Sequence, residues 1–331
     1  MPRIVALEEH FVVPELTSAW SRGPDAGRDP SQILGSEQIG RMLRDTSERR
    51  LADMTDQGVD VQVLSLTSPG VQNLAAADSV TVARDANEAL ADVVRANPDR
   101  FQGFAAVPTP DPAAAPAELE RAVTRLGFPG ALLNGRTGAV NMDAPQYGDL
   151  YAVAEQLHAP LYLHPQVPVA PVREAYYSGL GDGALDFAFA TAGIGWHYET
   201  GVQLLRLIFS GTFDRYPDLQ VILGHWGEVV LFFIERTAAL QQRGLHLDRP
   251  LADYFRQNVW VTGSGILSER YLRWAAEVVG TDRLLYATDY PYVDTGAGKA
   301  RDFLTGAPVT DAEKDAIGSG NWERLTSGSG G

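Results

Sequence analysis

The chain has no cysteine among its 331 residues, so disulfides, zinc-thiolate sites and cysteine nucleophiles are excluded in any compartment. Any metal it holds must be bound through His, Asp or Glu. Positive charge is also scarce, with 27 Lys and Arg against 42 Asp and Glu and a formal net charge of −15. Such a chain repels phosphate backbones and anionic lipid, so neither nucleic acid nor a membrane is expected as a partner. An anionic substrate would need a local cation, either a metal ion or a pocket arginine. No apolar run is long enough for a membrane span, and the opening MPRIVALEEHF has no signal-peptide core, so the cytoplasm is the expected compartment.

What remains is ordinary globular composition, 45% hydrophobic and 21% charged, at a length that (β/α)₈ barrels reach with insertions. Short, nearly all-apolar runs recur at residues 4–7, 61–66, 104–107, 130–133, 161–163, 221–223, 259–262 and 284–287. They read as buried parallel strands. Amphipathic stretches lie between them, at 80–96, 114–126, 147–156, 229–240 and 269–279, and Pro98 gives the first a stop at Asn97. This alternation predicts an α/β fold, a (β/α)₈ TIM barrel over residues 1–326 as one domain, with 327–331 as a flexible tail. Two connections, about 11–48 and 165–196, are too long for ordinary barrel loops. Both follow strands that end in candidate ligands, so they are expected to wall or cover a pocket on the C-terminal face.

Polar residues fall at the strand ends. Glu8, Glu9 and His10 close the first strand, His164 the fifth and His225 the sixth, and Asp289 follows the eighth. Barrel geometry brings all of these ends to one face. The set suits one divalent ion such as Zn²⁺, Mn²⁺ or Mg²⁺. Taken singly each has an ordinary explanation, such as a hydrogen-bonded histidine or a turn aspartate. Strand alternation puts Glu8 and His10 on one face as the paired ligands and leaves Glu9 a structural role, for example in an ion pair.

In Gly224-His225-Trp226-Gly227-Glu228 the glycines permit a tight turn. Glu228 is expected in the first helical turn, where it would raise the basicity of His225 for proton transfer. Trp196 and His197, beside other aromatics after the second insertion, are expected to border the pocket. His158 and His246 are expected to be exposed. Arg236 follows on the helix begun at His225, where a surface ion pair is the ordinary reading.

In order, ALEEHF, LYLHPQ, SGTFDRYPDLQVILGHWGE and LLYATDYPY resemble the amidohydrolase superfamily, in its metal-dependent aromatic decarboxylase branch of the γ-resorcylate and 2,3-dihydroxybenzoate type. The resemblance spans about residues 3–293. Where the wider superfamily opens with His-x-His, this branch has Glu-x-His, as Glu8 and His10 stand here. The resemblance implies that Glu8, His10, His164 and Asp289 hold the metal, that His225 and Glu228 are a catalytic pair, and that Arg236 holds the substrate carboxylate.

The reaction it implies is non-oxidative decarboxylation of a hydroxylated aromatic acid, with Asp289 protonating the ring carbon, in a homodimer or homotetramer. Val293 departs from relatives, which often carry a carboxylate there. A metal-dependent hydrolase or hydratase on the same scaffold is the alternative, and a catalytically dead binding barrel a further one.

Overall fold

The computed structural model describes residues 1–23, 32 and 35–327. Part of the first insertion and the tail beyond 327 therefore lie outside the described residues. Eight strands form one parallel sheet in sequence order: β1 (Val5–Phe11), β2 (Val61–Leu66), β3 (Phe101–Ala106), β4 (Gly130–Asn134), β5 (Leu161–His164), β6 (Val221–Leu223), β7 (Val259–Thr262) and β8 (Leu284–Leu285). Parallel bridges from Ala6 to Tyr286 and from Glu9 to Tyr290 bring the chain after β8 back against β1. Each strand overlaps one of the apolar runs, because strands covered on both faces are mostly apolar.

Two apolar layers result. Val5, Leu7, Val61, Val63, Leu132, Ile222 and Leu285 fill the barrel with Phe104, Tyr162 and Trp260, and Trp322 packs against Phe104 from the later chain. The alternate residues, among them Ile4, Ala6 and Phe11 from β1, join the larger layer beneath the outer helices. Those helices include Ala76–Ala96, capped at Asn97, and Ala115–Leu126, Gly148–Gln156 and Glu269–Val279.

The expected helix over 229–240 is not continuous. The structure has a 3₁₀ turn at Val230–Phe233, a short helix at Ile234–Ala238 and another 3₁₀ turn at Ala239–Arg243.

β1 contains a feature that alternation does not foresee. Its register against β2 shifts between Ala6, paired with Gln62, and Glu9, paired with Leu64. This bulge resets the inside-outside count. Val5 and Leu7 face into the barrel, yet Glu8 and His10 do too, while Glu9 and Phe11 face out.

The loops over the C-terminal face are braced. In the described part of the first insertion, helix Pro14–Arg22 supplies Trp20, whose Nε1 donates to Gly70 O at 3.0 Å. The second insertion is built of short turns, including helix Gly183–Ala188 and single π-turns at Arg173–Tyr177 and Phe189–Gly193. Arg136, buried after β4, ties it down through Val167 O at 2.7 Å and through an ion pair with Glu199 at 2.8 Å.

Candidate active site

Four of the expected residues converge at the top of the barrel. Ligand-type atoms of Glu8, His10 and His164 all lie within 4.8 Å of one another. Asp289, on a loop residue with φ +58°, places Oδ1 at 3.5 Å from His10 Nε2.

Glu9 explains why that loop sits there. Its carboxylate accepts from Thr288 N at 2.8 Å, Thr288 Oγ1 at 2.7 Å and Gln62 Nε2 at 3.0 Å. Glu9 thus has the structural role expected of it, bolting β1 to the residue before Asp289 through hydrogen bonds. Burial pushes its carboxyl up to about 8 against these bonds.

The orientation of these side chains provides a test for a cation. His164 Nδ1 lies 2.8 Å from Pro165 O, which can only accept. Nδ1 therefore carries a proton, which leaves Nε2 as the ring nitrogen available to a metal. Nε2 faces Glu8 Oε1 at 3.1 Å.

Glu8 Oε1 and His10 Nε2 are buried and have no hydrogen-bond partner. Burial foremost, with Arg50 and His225, lowers His10 to about 4 despite Glu8, so its ring is neutral. For Glu8, burial alone would raise the carboxyl, but His225, His164 and His10 hold it well below the usual range. An anionic oxygen and two imidazole nitrogens face one point, and a cation among them would satisfy Glu8 Oε1 and His10 Nε2. The donor set fits a divalent metal.

Beside this group stands a second one. From His225 to Val229 every residue has positive φ: 47° at His225, 56° at Trp226, 90° at Gly227, 49° at Glu228 and 63° at Val229. Left-handed backbone costs on the order of 1–2 kcal/mol per non-glycine residue, and such strain concentrates at functional sites. This turn replaces the right-handed first turn expected for Glu228.

The turn folds the buried Glu228 carboxylate back onto two rings, with Oε1 at 2.6 Å from His225 Nδ1 and Oε2 at 2.6 Å from His197 Nδ1. Trp196 Nε1 donates to His197 Nε2 at 3.3 Å. Burial opposes charge on both sides of the pair, yet Glu228 and Glu8 push His225 up to about 10, and the two histidines lower Glu228. His225 Nε2 points to the first group, 3.8 Å from Glu8 Oε1.

The structure does not bring Arg236 to either group. It is exposed on helix Ile234–Ala238 and faces a surface cavity with Phe233, Leu240 and Arg243. The left-handed turn breaks the helix expected to carry it and changes the direction of the chain. His158 and His246 are exposed, as expected.

Sequence reasoning missed Tyr162, Thr262 and Ser264, whose hydroxyls surround the far side of Glu8. Their signal was available. Tyr162 stands two residues before His164, hence on its face, and Thr262 and Ser264 are polar residues at the end of an apolar strand.

Eight parallel strands with a carboxylate-histidine cluster at their C-terminal ends define a metal-site (β/α)₈ barrel. The chain belongs to the amidohydrolase family, whose model matches residues 15–325. It is 36% identical over 335 residues to γ-resorcylate decarboxylase of a Polaromonas species, covering 97% of each chain.

Among solved structures it is similar to 5-carboxyvanillate decarboxylase of Sphingomonas paucimobilis, with TM-score 0.90, 32% identity and 99% of each chain covered. It is also similar to a Polaromonas dihydroxybenzoic acid decarboxylase with bound manganese and the inhibitor 2-nitroresorcinol, with TM-score 0.85, 34% identity and coverage of 99% of this chain and 97% of that one. No helix among the described residues is long and apolar enough to cross a membrane.

Proposed function

We propose that the chain is a metal-dependent carboxy-lyase that removes CO₂ from a hydroxylated aromatic acid without an oxidant. The observation that carries this is the convergence of Glu8, His10, His164 and Asp289, with Glu8 Oε1 and His10 Nε2 left unbonded, in a chain aligned nearly end to end with aromatic-acid decarboxylases. Glu8, His10, His164 and Asp289 are assigned as the ligands. A divalent ion there, manganese being the ion in one relative, supplies a Lewis acid that orients and neutralises a carboxylate and an adjacent phenolate. In a protein of net charge −15 that cation is what admits an anionic substrate.

The chain's own groups then manage protons. Without a metal, burial and the Glu8 charge, outweighing nearby histidines, push the Asp289 carboxyl up to about 8, so it takes up a proton more readily than an ordinary carboxyl. Asp289 gives this proton to the ring carbon bearing the carboxylate. The bond to that carboxylate breaks, its electrons restore the aromatic ring, CO₂ leaves and Asp289 regains a proton from water. His225, held by Glu228 and backed by His197, keeps and returns the phenolic proton. Trp196 steadies His197.

The test is CO₂ release over a panel of hydroxybenzoates with Mn²⁺, Zn²⁺ and Mg²⁺, run in ¹⁸O-water. Release that stops on metal removal and returns on reloading is expected. Full activity in metal-stripped protein, or ¹⁸O uptake without CO₂, overturns the assignment.

The same reading makes the enzyme a cytoplasmic homodimer or homotetramer. Exposed Tyr198, Val202, Phe232, Phe233 and Leu240 support self-association, and sedimentation equilibrium measures it.

A further inference from the structure

The far oxygen of Glu8 is unusually crowded. Glu8 Oε2 accepts from Tyr162 OH and from Ser264 Oγ, both at short range. Thr262 Oγ1 closes the ring of hydroxyls, 2.8 Å from Tyr162 OH and 2.9 Å from Ser264 Oγ. Ser264 Oγ also accepts from His225 N at 3.0 Å.

Each hydroxyl has one proton, and Tyr162 and Ser264 direct theirs to the same carboxylate oxygen. Oε2 is thereby saturated, whereas Oε1 has no donor at all. A phenol and two alcohols inside an otherwise apolar barrel are costly unless bonded, and filling the space would need only phenylalanine and alanine.

The backbone makes room for the array at Gly224. A Cβ there would lie 2.8 Å from Ser264 Oγ, 3.0 Å from Glu8 Oε2 and 3.1 Å from Tyr162 OH.

We propose that Tyr162 and Ser264 are positioning residues that occupy one oxygen of Glu8 so that only the other is offered to the metal, and that Ser264 ties the His225 backbone to the same point. This rests on the assignment of Glu8 as a ligand. Outer hydrogen bonds of this kind orient ligands and set metal affinity.

The experiment measures Mn²⁺ affinity of chelator-stripped protein by competition with a fluorescent chelator, together with the visible spectrum of the Co²⁺-loaded protein. Wild type should bind one Mn²⁺ per chain, and Glu8→Gln should lose it. Tyr162→Phe and Ser264→Gly should bind about 10–100-fold more weakly, with an altered Co²⁺ spectrum and metal-free melting temperatures near wild type. Glycine suits the φ of +43° at Ser264, so that variant decides the matter if Tyr162→Phe does not fold. If wild type and Glu8→Gln behave as stated but both hydroxyl variants bind like wild type, the positioning role is refuted and the metal assignment stands. If wild type binds no Mn²⁺, or Glu8→Gln binds as well, both fall.

Discussion

Two carboxylate-histidine groups sit side by side in this barrel with nearly the same composition. In the first, Glu8, His10 and His164 turn ligand atoms toward one another, and two of these atoms have no hydrogen-bond partner. In the second, His197, Glu228 and His225 are also close enough to hold an ion, but each Nδ1 already has a carboxylate oxygen at 2.6 Å. Proximity of ligand-type residues therefore does not identify a metal site. What separates the groups is whether the lone pairs are spent. The first leaves Glu8 Oε1 and His10 Nε2 unbonded and is assigned the metal, whereas the second is bonded within itself and is assigned proton transfer.

The strongest way to break this distinction is His164→Ala. It should empty the first group of metal, measured by elemental analysis, and lower kcat/KM by about 10³-fold or more. Retention of stoichiometric metal would refute the assignment. Asp289→Asn should cost on the order of 10²–10⁴-fold in kcat while some metal remains, and an unchanged rate would remove Asp289 as proton donor.

On the other side, Glu228→Gln should lower kcat by about 10²-fold with metal content unchanged. Metal loss there would show that the second group binds the ion. Gly224→Ala, which pushes a methyl group against Glu8 Oε2 and Ser264 Oγ, should weaken Mn²⁺ binding by about 10-fold with a smaller effect on kcat at saturating metal.

The smallest effect expected is on pH-dependent stability of the metal-free protein. His225, raised from 6.5 to about 10 chiefly by Glu228 against its burial, contributes stability that is complete below 6.5 and lost as pH rises through about 10. Asp289, raised from 3.8 to about 8 by burial first, opposes folding increasingly over that interval. Both make the melting temperature fall between pH 6.5 and about 8, and His225 alone continues the fall toward 10. His225→Asn should flatten the upper part of the curve, and an unchanged slope would contradict the pairing.

Much of this was legible in the sequence because it depends on composition and period. All eight strands lie on the apolar runs, and the residues that gather at the first group are those placed at strand ends by counting. What was not legible depends on conformation. The left-handed run from His225 to Val229 has only Gly227 as a local cue. With that turn unseen, a continuous helix over 229–240 was expected, with Arg236 aimed toward the site. Glu228 was paired with His225 alone because His197 lies far away in sequence and meets it only through the fold. The hydroxyls around Glu8 were visible as residue types, but their shared target was not.

The bulge in β1 bears on how this site can change by mutation. Glu8 and Glu9 are adjacent carboxylates, and the single extra residue before Glu9 decides which of them enters the lumen. The motif is thus read in a phase set upstream. Straightening the bulge with Leu7 retained would leave every ligand in the chain and still be expected to disrupt the site, by exchanging the carboxylate that faces the metal for the one that anchors the Asp289 loop. In this barrel the identity of the inward carboxylate is fixed by a bulge in a buried strand, whereas the long connections over the mouth can vary in length without altering which side chains face inward.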